Sequence, residues 1–120
     1  MNRTTSDNRM GARRKLYFYL KVLDQNTCEE VGRLVDIHFA GMLLISEQEL
    51  EVDKQLDLRV EIDEVHLEHS PGELDVQVLT RWSKQDVNPA YFVTGVQFVN
   101  VTPNQERLIG ELIQTIGFRD

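Results

Sequence analysis

The sequence predicts an all-β domain closed by a C-terminal helix. Three observations carry this: six short segments with apolar residues at every second position, turn-forming residues between them, and one late change to helical period. A chain of 120 residues is the size of a domain with a single hydrophobic core. Its 41% hydrophobic and 28% charged residues are close to ordinary globular usage, which favours neither a wholly disordered nor a fibrous class.

From Lys15 onward, Leu16, Phe18, Leu20 and Val22 alternate with Tyr17, Tyr19 and Lys21, so a first strand turns the former set to a core and the latter to solvent. The run "DQNT" is a turn. Cys28 to Asp36 reads as the returning strand, with Val31 and Val35 among its apolar positions, and Gly41 to Ser46 as a third. After the acidic connection "EVDK", Leu56, Leu58, Val60 and Ile62 alternate, and the phase slips before Val65, which places a bulge or turn near Asp63 and Glu64. "SPGE" is the next turn. Val76, Val78 and Thr80 share a face in a strand ending near Trp82, and "KQDVNP" precedes a last strand from Tyr91 to about Val99. Six strands at this spacing make a small barrel or sandwich. Trp82 and Phe98 are expected in its core, and Cys28 within a strand.

At the end of the chain the period changes. Thr102 as N-cap, Pro103 at the first helical position and Gln105 at the third form a capping box. Leu108, Ile109, Leu112, Ile113 and Ile116 then make one apolar stripe, and Gly117 suits the residue that ends a helix spanning about 103–117. So short a helix is not stable alone in water, so the stripe must be covered, either by the barrel or by a second subunit in a homodimer.

The formal net charge of −7 is unevenly spread. Residues 1–22 carry Arg3, Arg9, Arg13, Arg14, Lys15 and Lys21 against Asp7, a balance of +5, which leaves −12 on the other 98. Residues 1–14 read as a flexible basic arm, and 15–120 as the barrel with its helix. The arm suits a compact anion, while the acidic body repels a long nucleic-acid polymer. No apolar run approaches the ~20 residues of a membrane span, and the first fifteen residues lack the apolar core of a secretory signal, so a cytoplasmic location is expected. The single cysteine has no internal disulfide partner.

Two stretches carry binding chemistry. "RMGARR" holds Arg9, Arg13 and Arg14, whose planar guanidinium forks suit phosphate oxygens and the guanine O6/N7 edge. In "DIHFAG", Asp36 can accept from the amino and imino groups of guanine, His38 can donate to a phosphate or base, and Gly41 leaves clearance for a ligand or a tight turn. Each residue taken singly also fits a plain turn or a charged strand entry. His66 and His69 beside Glu64 and Glu68 are read as exposed loop or edge residues, because positions three apart on a strand face opposite sides. Tyr17 and Tyr19 are read as surface packing. The sequence has no phosphate-cradling Gly-rich loop, His-Glu-x-x-His motif or Gly-x-Ser-x-Gly turn, and no enzyme activity is expected.

Arg9-x-x-x-Arg13 before a strand, Asp36-x-His38-x-x-Gly41 after the second, "VLTRW" ending at Trp82, "GVQF" from Gly95 to Phe98, and a C-terminal helix together resemble the PilZ domain. The likeness covers nearly the whole chain. It implies a six-stranded antiparallel β-barrel that binds the bacterial messenger cyclic di-GMP and needs no cofactor. By the same resemblance Arg9, Arg13 and Arg14 hold phosphates and guanines, and Asp36, His38 and Gly41 hold a guanine. His38 stands where the family usually has serine. The function implied is a receptor whose arm orders on ligand binding and signals to a protein partner not identified by the sequence. The alternative is a degenerate domain that does not bind the dinucleotide and acts as an adaptor through protein contacts. A third class, an RNA-binding barrel using the arm with Tyr17 and Tyr19, is disfavoured by the acidic body.

Overall fold

Strand β1 (Leu20–Asp24) buries Leu20 and Val22 and exposes Lys21, as its alternation predicts. A computed structural model describes residues 19–62 and 72–114, and the expectations for the arm, for residues 15–18, for His66 and His69, and for Ile116 and Gly117 lie outside that range. In the turn after β1, Asp24 Oδ1 accepts the N–H groups of Asn26 and Thr27 at 2.7 and 3.1 Å. Cys28, expected within a strand, lies in this turn instead. Cys28 is exposed at φ +63°, its N–H donates to Asp24 O at 2.8 Å, and β2 (Glu30–His38) starts two residues later. The left-handed backbone that closes this turn cannot continue a ladder.

Strands β3 (Gly41–Ser46), β4 (Gln55–Glu61), β5 (Glu73–Gln85) and β6 (Phe92–Val99) complete a closed antiparallel barrel in the order β1-β2-β3-β6-β5-β4, with β4 returning to β1. Closure leaves no long unpaired sheet edge and encloses Val22, Leu34, Leu44, Leu58, Val60, Leu74, Val76 and Val78. Thr80 is also fully buried. Its hydroxyl donates to Glu51 O at 2.7 Å and accepts from Lys54 N at 2.9 Å, which ties the β3–β4 connection to the wall and satisfies a polar group that burial alone would penalise.

In β2, Val31 and Val35 are half-buried, Val31 packing against the core, and Gly32, Leu34 and Ile37 are the buried positions. The step from Leu34 to Ile37 marks a bulge, where Leu34 pairs with Leu44 but Asp36 pairs with Leu43. A second bulge lies in β5, where Thr80 pairs with Val96 but Trp82 pairs with Gly95. β5 also runs on to Gln85 rather than ending near Trp82.

Helix α1 (Pro103–Leu112) has the capping box read from its sequence, Thr102 Oγ1 accepting from Gln105 N at 3.2 Å and Gln105 Oε1 accepting from Thr102 N at 2.8 Å. Gln105 Nε2 also donates to Asp75 O at 2.7 Å, which fixes the start of the helix on β5. Leu108, Ile109 and Leu112 are buried with the barrel core and Ile113 packs against it, so these residues of the stripe are covered within the chain. Across β4 and β5, Arg59 makes a two-pronged pair with Asp75 at 2.8 and 3.1 Å. That hydrogen bond first, then the charges of Asp75 and Glu73, holds the guanidinium still further above its ordinary range, so Arg59 stays charged and engaged.

Candidate functional site

The two bulges decide what the outer wall presents. Without the extra residue in β2, Asp36 would follow Leu34 two positions on and point inward; the bulge sends Ile37 in and Asp36 out. The same shift in β5 explains a second correction. Trp82 continues the alternation of Val76, Val78 and Thr80 and was expected in the core, but the bulge after Thr80 turns it outward, 43% exposed. Ser83 takes the inward phase instead and shares a hydrogen bond with buried Thr94 at 2.9 Å. Phe98, by contrast, is buried as expected.

Pairing then aligns the two displaced residues. Asp36 lies opposite Leu43, Leu43 opposite Gly95 and Gly95 opposite Trp82, one continuous row across four strands. At ~4.8 Å per strand the row is ~14 Å long. Gly95 lacks the side chain that would lift the indole away. A Cβ there would meet Nε1 of Trp82 and lie 2.5 Å from its Cε2, so the ring lies on the glycine backbone. The next outward row holds His38, Gly41 and Gln97. Asp36, His38, Gly41, Arg81, Trp82 and Gln97 line one open cleft of about 390 Å³, within the size range of small-molecule sites.

Of the residues singled out from the sequence, Asp36, His38 and Gly41 are therefore together in one cleft. Asp36 is half-buried, and its Oδ1 accepts from Ile37 N at 2.9 Å. His38 is exposed beside a two-residue hairpin tip, and its Nδ1 accepts from Ala40 N at 3.3 Å. Neutral imidazole then carries its proton on Nε2, the nitrogen left to donate. Serine Oγ caps such a turn equally well, so His38→Ser is expected to change stability by less than about 0.5 kcal/mol, as measured by urea denaturation. The clearance at Gly41 serves the barrel itself: a Cβ there would collide with Val96 O and sit 3.0 and 3.2 Å from Val96 C and Gln97 Cα.

Trp82, Arg81 and Gln97 also line the cleft, and none of them was singled out from the sequence as a binding residue. Arg81 is the extra residue of the β5 bulge and donates to Gln97 Oε1 at 3.2 Å. Most described arginines are engaged elsewhere: Arg33 with Glu30, Arg59 with Asp75, Arg107 with Glu111. Arg81 and Lys84, beside the cleft, have no carboxylate partner among the described residues. The site thus combines a flat indole, one carboxylate and unneutralised cations, a set that fits a planar base with hydrogen-bond donors and an attached anion. Among the described residues no cluster of His, Cys, Asp and Glu has metal-site geometry, and no helix is long and apolar enough to cross a membrane.

The sequence matches the PilZ domain family over residues 8–115. The chain belongs to that family. Its six-stranded barrel with one C-terminal helix is the PilZ fold that the motifs implied. Among solved structures it is similar to the PilZ domain of YcgR from Escherichia coli, determined with cyclic di-GMP, at TM-score 0.63 and 16% identity over 82% of this chain and 81% of that one. It is also similar to the Bacillus subtilis inhibitor of motility MotI, at TM-score 0.59 and 16% identity over 82% of this chain and 46% of that one. MrkH of K. pneumonia in its apo state gives TM-score 0.58 and 19% identity over 88% of this chain and 52% of that one. This PilZ domain therefore spans about half the length of the latter two. No curated protein matches the sequence significantly. At these identities the likeness is one of fold.

Proposed function

We propose that this PilZ domain is a cytoplasmic receptor for cyclic di-GMP, in which a guanine stacks on Trp82, Asp36 accepts from a guanine edge, and Arg9, Arg13 and Arg14 close over the phosphates. The observation that carries the reading is the single row that brings Asp36 and Trp82 to one cleft beside His38 and Gly41. The attachment of the arm supports it. Leu20 pairs with Leu34, two residues from Asp36, so the basic segment joins the wall that bears the cleft. Six extended residues reach ~21 Å, and four strand spacings amount to ~19 Å, so Arg14 is tethered within range of the whole row. Closing the arm over the ligand orders a segment at the moment of binding, and the altered surface is what a protein partner senses. Charge-assisted contacts from guanidinium to phosphate supply affinity, while stacking and the Asp36 carboxylate supply preference for guanine.

The experiment is a calorimetric titration with cyclic di-GMP, GTP and single-stranded RNA, run in parallel with emission from Trp82, the only tryptophan. Cyclic di-GMP is expected to give heat and to quench the indole, and Trp82→Ala to weaken binding roughly tenfold, since base stacking on an aromatic side chain contributes ~1–3 kcal/mol. Heat from none of the three ligands leaves the adaptor reading in its place. Heat from RNA without cyclic di-GMP selects the third class.

A further inference from the structure

We propose that Lys84 is a ligand-positioning residue of this cleft: its ammonium covers the Trp82 ring in the free protein and passes to a phosphate of the ligand when a base takes that ring. The proposal rests on the reading of the cleft as a cyclic di-GMP site. Its observations are local. Lys84 Nζ stands 5.6 Å from the centroid of the Trp82 ring. The opposite face of the ring is against Gly95, so a base and the Lys84 ammonium compete for the face that remains. Lys84 is exposed and has no ion pair among the described residues, so nothing else holds it on the ring.

Position explains why displacement is productive. Lys84 lies two residues beyond Trp82 on the same outward face of β5, opposite Val93, its backbone ~7 Å along the strand from that of Trp82. A lysine stem covers that distance, so the ammonium displaced from the ring remains beside whatever the base carries. A cation–π contact at an exposed site is weak, whereas a charge-assisted contact to phosphate is stronger, so the exchange favours the bound state. Lys84 thereby shields the indole without a ligand and rewards ligands that join a base to an anion.

The test is fluorescence titration of the full chain with cyclic di-GMP, read on Trp82, for wild type, Lys84→Met, Lys84→Arg and Lys21→Met, each in 0.1 M and 1 M NaCl. Lys21→Met removes the same formal charge from an exposed position on β1, two strands from Lys84 by way of β4 and outside the lining of the cleft. Lys84→Met is expected to weaken binding about fivefold in 0.1 M NaCl, and Lys84→Arg and Lys21→Met to stay within about twofold of wild type. At 1 M NaCl, where the Debye length falls to about 3 Å, the gap between Lys84→Met and wild type should shrink below twofold. A purely structural role for the stem would leave a gap insensitive to salt. Wild-type binding with unchanged or tighter binding by Lys84→Met overturns the proposal and leaves the cyclic di-GMP reading intact. Absence of wild-type binding removes both.

Discussion

Asp36→Ala and Arg13→Ala are each expected to lower the affinity for cyclic di-GMP by more than about tenfold, with the fold retained. Asp36 is the acceptor of the cleft: its Oδ1 takes the Ile37 N–H, and no other described residue uses its second oxygen. A carboxylate accepting from a guanine edge contributes ~1.5–3 kcal/mol as a charged hydrogen bond, which is a factor of ten or more in binding. In the proposed site Arg13 would supply the complementary term, a planar fork to a phosphate or to O6/N7. The two variants fail in different ways. Loss of the Arg13 charge should flatten the salt dependence of binding, whereas loss of Asp36 should erode the preference for guanine over adenine dinucleotides. Calorimetry with cyclic di-GMP and cyclic di-AMP at two salt concentrations separates them. Unchanged affinity in both variants would remove the site assignment.

Gly41→Ala should cost at least about 3 kcal/mol of stability, the largest folding effect of any single methyl group at this site. The added Cβ meets the backbone of β6, Val96 and Gln97, with no flexible side-chain end to move aside. Relief requires β3 and β6 to part at the pairing of Gly41 with Gln97, which lies at the base of the hairpin bearing His38. Denaturant titration should show a lower midpoint with an unchanged slope, and a melting temperature reduced by roughly 12 °C. Cyclic di-GMP affinity should fall with it, because separating these strands displaces His38 and breaks the row from Asp36 to Trp82. Stability within 0.5 kcal/mol of wild type would show that the strands adapt, and would return Gly41 to the role of ligand clearance.

The hairpin tip also touches the helix. Phe39, 64% exposed, presents its ring to α1, where a Cβ on Gly110 would lie 3.7 Å from two ring atoms. The Asp36-to-Gly41 hairpin thus approaches α1 through a tip residue and a glycine that periodicity does not mark.

Much of the architecture was legible because local rules and the global fold agree. The capping box at Thr102 and Gln105, the alternation of Leu58 and Val60, and the inward run of Val76, Val78 and Thr80 each follow from period and turn chemistry that the barrel has no reason to override. Asp36, His38 and Gly41 were legible as a candidate site because an Asp-x-His-x-x-Gly string interrupts an apolar run. The step from Leu34 to Ile37 was a readable sign of the β2 bulge, whereas the slip read after Ile62 lies outside the described residues. Cys28 was misplaced because the left-handed turn residue there is not glycine.

By itself, the sequence determined six alternating strands, a capped helix, a basic leader on an acidic body, and the residue types able to meet a guanine and a phosphate. Only the tertiary structure decided which of those residues face one another. Trp82 keeps perfect phase with the core residues before it, so nothing in its own neighbourhood turns it out. Its direction is set by an extra residue in β5, and the outward indole lies flat where Gly95, on another strand, leaves room for it. Strand register is a property of pairs, and a pair of strands is not written in either strand alone.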